Sequence, residues 1–158
     1  MRIKKYGMRL DENKHPVLVK ENVTNYVTES MSTPKDIAKM CNEVFGLKDM
    51  AEEYVYAISM NAKCKVNGVF ELSHGSGQQA LLASRELFMR LLLSGATQFA
   101  VVHNHPSGDP TPSNADLQVT RKLYEASKLM DIEFTDHIIL GDDRAFCSLR
   151  EQYTGIFS

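Results

Sequence analysis

Apolar positions change period several times along this chain, and each change marks a boundary between elements. After Ser32, the residues Ile37, Met40, Cys41, Val44 and Phe45 fall at helical spacing. Ser32 or Thr33 can cap that helix, Pro34 suits its first turn, and Gly46 suits its end. EEYVYAISM, from Glu52 to Met60, is rich in β-branched and aromatic residues and predicts a strand. A second strand-like run, CKVNGVFELSHG, follows it. The Asn67-Gly68 pair inside that run fits either a hairpin turn or a bulge. Helical spacing returns in ASRELFMRLLLSGA, with Leu87, Phe88, Leu91 and Leu92 on the predicted buried side and Ser94-Gly95 as its end. TQFAVVHNH predicts a strand and SNADLQVTRKLYEASKLM a capped amphipathic helix. IEFTDHIIL predicts another strand, and GDDRAFCSL a turn into a last short one. Before Ser32 the pattern is weak. PVLVKE can form a short strand, and the rest reads as an arm or edge.

Strands alternating with helices predict an α/β layered domain, a mixed β-sheet flanked by helices, and the hairpin-like pairs argue against a purely parallel sheet. At 158 residues the chain suits one domain. The expected division is an amino-terminal arm or edge strand over residues 1–31 and the domain proper over 32–158. A net charge of -2 gives the chain no general attraction for a phosphate backbone, so DNA association has no support from charge. The cysteines, Cys41, Cys64 and Cys147, are odd in number and far apart, which fits neither a disulfide framework nor a Cys-x-x-Cys zinc site. A reducing, cytoplasmic setting is expected. The basic start is followed by no apolar segment of a secretory signal, and no apolar run approaches the ~20 residues that span a bilayer, so no membrane partner is expected.

The chemistry concentrates in VVHNHPSGDPTPSNAD, Val101 to Asp116. Side chains alternate along a strand, so His103 and His105 project to one side at its end, and Pro106 stops the ladder. Gly108, Pro110 and Pro112 force a bend that delivers Ser113 and Asp116 to the start of the next helix. A carboxylate there can complete a His, His, Asp donor set, which suits zinc with a position left for water. The same Ser-x-x-Asp is also a capping box, in which Asp116 reaches back to the Ser113 backbone N–H. The two roles are compatible.

His-x-His-Pro, a short spacer and Ser-x-x-Asp resemble the metal motif of the JAB/MPN family, the JAMM metalloproteases. The longer string HNHPSGDPTPS, with DHIILGD downstream, closely resembles the RadC branch of that family. The resemblance runs roughly from Ser32 to Glu151 and implies a mixed sheet related to the cytidine deaminase fold. It also implies zinc ligation by His103, His105 and Asp116, and a part for Ser113 in holding the oxyanion or the bound water. The family pattern requires an upstream glutamate acting as general base. Glu53 is the better placed; Glu52 faces the other side of its strand, and Glu86 lies in a helical run. The implied reaction is hydrolysis of a peptide or isopeptide bond in a peptide or protein substrate. Asp136 and His137 match the RadC branch and fit either support of the site or a strand-end hydrogen-bond pair. His15 and His74 are not expected to be ligands.

Asn104 stands where the deubiquitinating branch has a small hydroxyl residue, so that branch's specificity does not carry over. The region before Ser32 is too short for the helix-hairpin-helix segment usual in RadC proteins. Competing readings are a DNA-repair-associated accessory protein and a non-catalytic MPN scaffold; the complete ligand set disfavours the scaffold. A deaminase would need a Pro-Cys-x-x-Cys pair that the chain lacks. An exposed amino-terminal edge strand leaves a homodimer open.

Overall fold

The computed structural model describes residues 1–75 and 83–158. In chain order the elements are β1 (Arg2–Leu10), β2 (Pro16–Asn25), α1 (Pro34–Phe45), β3 (Glu53–Met60), β4 (Val66–Gly75), α2 (Ser84–Leu93), β5 (Gln98–Asn104), α3 (Asn114–Met130), β6 (Glu133–Leu140), β7 (Phe146–Ser148) and α4 (Leu149–Gln152). The strands form one seven-stranded sheet in the order β2-β1-β4-β3-β5-β6-β7. The β1/β4 and β5/β6 pairs are parallel, and the other pairs are antiparallel. The mixed α/β architecture is the one the alternating pattern predicts.

Helices cover both faces at the centre, which explains why β5 reads as an unbroken buried run rather than an alternating one. Ile37, Met40 and Cys41 of α1 pack with Tyr56, Ile58, Val102 and Ile138 on one face. Leu87 and Leu91 of α2 and Leu123 of α3 pack with Val55, Ala57, Phe99 and Val101 on the other. Consecutive residues of β3 and β5 thus feed different cores, as the two-residue period of a strand requires. Thr33 is the cap of α1, closing a capping box with Asp36, and Gly46 ends that helix at φ 63.

Three local expectations are settled or changed. Asn67-Gly68 is a bulge: Ser59 pairs with Gly68 and Met60 with Val66, which leaves Asn67 without a partner in the ladder. The β3–β4 turn lies earlier, where the Asn61 side chain accepts the backbone N–H groups of Lys63 (2.9 Å) and Lys65 (3.1 Å). Leu92, expected on the buried side of α2, is 55% exposed. At about 100° per residue it lies some 140° around the helix from Leu87, outside the arc set by Leu87, Phe88 and Leu91. The start of the chain forms a full hairpin. β1 pairs with β4 and puts Ile3 into the core, and β2, which contains the predicted PVLVKE strand, is the sheet edge.

Candidate metal centre

The last rung between β3 and β5 joins Val55 to His103. Beyond it the pairing with β6 continues, and the His105 N–H bonds the Leu140 carbonyl at 2.9 Å. The following bend is held from below. Gly108 N–H bonds the His105 carbonyl and Asp142 N–H bonds the Gly108 carbonyl, both at 2.9 Å. The approach at Gly141 is close enough that a Cβ there would clash with the Gly108 carbonyl oxygen, so a side chain at Gly141 would displace the bend. Fixed in this way, the bend presents the Asp109 carbonyl to His105 Nδ1 at 2.8 Å.

The bend ends at Ser113, the cap of α3. Its hydroxyl accepts the Asp116 N–H at 3.1 Å, while Asp116 Oδ2 accepts the Ser113 N–H at 2.7 Å and its hydroxyl at 2.8 Å. The capping box is therefore formed. The same carboxylate also faces both imidazoles, with Oδ1 3.3 Å from His103 Nε2 and Oδ2 3.5 Å from His105 Nε2. Capping fixes the carboxylate that the site uses.

Glu53, at the start of β3, completes a cluster with His103, His105 and Asp116 in which one ligand atom from each lies within 4.8 Å of the others. Its Oε1 is 3.7 Å from His103 Nε2. Glu52 is exposed and contributes only its backbone nearby. Glu86 sits on α2 with Arg85 and Arg90. His15 pairs with Asp11, and His74 with Glu71.

Proton positions follow from the hydrogen bonds. The Thr120 hydroxyl has one proton, and the Asp116 carbonyl at 2.6 Å can only accept it. His137 Nδ1, 2.6 Å from the same oxygen, must then be the donor. That leaves His137 Nε2 as acceptor for His103 Nδ1–H at 2.8 Å, so the lone pair of His103 is on Nε2. His105 Nδ1–H is committed to the Asp109 carbonyl, which turns its Nε2 into the cluster. The two Nε2 atoms are 3.0 Å apart, beside two carboxylates. With His103 neutral, this contact is met either by a proton on His105 Nε2 or by a shared cation. This donor chemistry fits a metal ion held by His103, His105 and Asp116.

Hydrogen bonding to Asp116 raises His105 against the opposing effect of burial, and the Asp109 carbonyl and Glu53 add to it. Burial, with His137 and His105 adding to it, holds His103 well below its usual value and keeps it neutral. His137 is held down to about 4 by burial. Burial opposes ionisation of Asp116, but His105, His103 and Ser113 outweigh it and hold the carboxyl well below the usual range. Burial raises Glu53, partly offset by His105, and Asp116 raises it further. One carboxylate is thus kept charged, and the other is made a better proton acceptor.

A profile of the RadC-like JAB domain matches residues 31–154. The chain belongs to the RadC-like JAB family. Relatives include a UPF0758 protein of Clostridium acetobutylicum, 38% identical over 81% of this chain and 55% of that protein. Another is a UPF0758 protein of Moorella thermoacetica, 40% identical over 75% of this chain and 51% of that protein. The chain spans about half the length of these curated relatives.

Sequence reasoning left Asp136 and His137 as either supports of the site or partners of each other; the structure separates them. His137 belongs to the site of this RadC-like domain, whereas Asp136 accepts the Ser148 hydroxyl at 2.5 Å and the Arg150 N–H at 3.0 Å. Thr120 was missed. Its signal was positional, one helical turn after Asp116 and so on the same face of α3. No described helix is long and apolar enough to cross a membrane.

Proposed function

We propose that this chain is a zinc-dependent hydrolase of the JAMM type that cleaves a peptide or isopeptide bond. The observation that carries the reading is the convergence of the two Nε2 atoms, 3.0 Å apart, on carboxylates from two other elements. A zinc ion held by His103, His105 and Asp116 would supply a water acidified toward pH ~7 and polarise the scissile carbonyl.

The remaining roles fall to the protein. Glu53, raised by burial, accepts a proton at its carboxylate and returns it to the leaving nitrogen. Asp116, fixed by the cap, keeps its charge beside the imidazoles. His137 and Thr120 hold the His103 ring in the tautomer that presents Nε2. Ser113 stands beside Asp116 and would turn its hydroxyl from Oδ2 toward the substrate oxygen.

Metal content by mass spectrometry tests the reading. Wild-type protein supplied with zinc should hold about one ion per chain, and a His103→Ala/His105→Ala variant none. Absence of metal from both would overturn the reading and leave the scaffold function.

A further inference from the structure

His103 and His105 face α3, so the residue between them faces the opposite way. Asn104 is 1% exposed and lies on the α1 side of the sheet, away from the metal ligands. Its carboxamide makes two bonds, one to β3 and one to the residue just before it. Oδ1 accepts the Tyr54 N–H at 2.7 Å, and Nδ2 donates to the Glu52 carbonyl at 2.9 Å. These two backbone groups flank Glu53 in sequence.

The reason is visible in the ladder. Backbone pairing of β3 with β5 stops at Val55 and His103, while the pairing of β5 with β6 runs on through Asn104 and the His105 N–H. The next rung would have fallen at Tyr54 and Asn104. The Asn104 carboxamide supplies the acceptor for the Tyr54 N–H and a donor for the Glu52 carbonyl, the backbone groups on either side of Glu53. Aspartate lacks the donor, serine is too short for both bonds, and glutamine is one methylene too long.

We propose that Asn104 is the positioning residue for Glu53, bridging the backbone on both sides of it where pairing with β5 has ended and fixing the strand from which the base projects. This rests on the metallohydrolase reading for what Glu53 does, but the clamp itself is a property of the fold. The run His103-Asn104-His105 thereby serves two ends: its outer residues hold the metal on one face, and its middle residue holds the base's strand from the other.

Two measurements test it. The first, amide hydrogen exchange, needs no metal. In Asn104→Ala the Tyr54 amide should exchange at least about tenfold faster than in wild type, with Tyr56, deeper in the strand, unchanged. An unchanged Tyr54 rate overturns the clamp. The second is the visible spectrum of cobalt-loaded protein, which reports the ion's surroundings. Asn104→Ala and the isosteric Asn104→Asp should still bind cobalt, with bands displaced in the direction that Glu53→Gln displaces them. Asn104→Ala should add nothing in a Glu53→Gln background. An additional displacement there would assign Asn104 to the histidines instead and overturn the proposal. Unaltered bands in both Asn104 variants, beside altered bands in Glu53→Gln, would also overturn it. Should Asn104→Ala fail to fold, Asn104→Asp carries the spectroscopic arm. A wild-type protein that binds no cobalt refutes the metal centre, and the Tyr54 rate still decides the clamp.

Discussion

Asp136 and His137 are neighbours on β6 that face opposite sides of the sheet, and each side makes a different demand. His137 must stay neutral to accept from His103, and burial keeps it so. Asp136 sits among backbone and hydroxyl donors, yet burial still raises its carboxyl. The unfolded chain therefore gives up this proton first, from about pH 3.9. The contribution of Asp136 to stability is full below that value and is lost as pH rises through its folded pKa. Asp136→Asn can keep the Arg150 bond and reverse the Ser148 hydroxyl. It should melt above wild type near neutral pH, with the difference closing below about pH 3.9; thermal melts across that range check it. At this scale the candidate ligands were readable because His-x-His and Ser-x-x-Asp state their own geometry. Asn104 was read only as a departure from another branch. Its role depends on where β3 stops pairing, which no local pattern records.

Among the elements, α3 does the most for the site. Its first turn supplies Asp116, and one turn later Thr120 joins the helix to β6 through His137 and, through His137, to β5. Thr120→Val keeps the shape but removes the acceptor that sets the His137 tautomer. Metal affinity should fall about 10–100-fold, as read by competition with a chromophoric chelator. An unchanged affinity would show that the His103 ring is oriented without this relay. The capped amphipathic helix was legible from its period and its box. The relay was not, because it is defined by a helix, a strand and a loop that are far apart in sequence.

For the molecule as a whole, the amino-terminal hairpin is part of the sheet. Sequence pattern conceals β1 because its apolar residues divide between faces: Ile3 enters the α1-side core, while Tyr6 packs against the other. A register shift between Lys5 and Tyr6 also breaks the alternation in pairing with β2. Ile3, 1% exposed, is the test of this integration. Ile3→Ala should cost about 2–5 kcal/mol in denaturant unfolding, whereas a loosely attached arm would cost almost nothing. The outer strand β2 begins at Pro16 and carries exposed Lys20 and Glu21, features that discourage stray pairing along an open edge.

The end of β5 behaves as a reading frame. Its residues take alternate meanings, imidazoles of the candidate metal site on one side and strand clamp on the other, and the meaning is set by parity alone. Substitutions alter one letter at a time. A one-residue insertion or deletion upstream in β5 would exchange the two meanings together, turning imidazoles toward α1 and the carboxamide toward Asp116. Length, as much as identity, is therefore what this strand has to preserve.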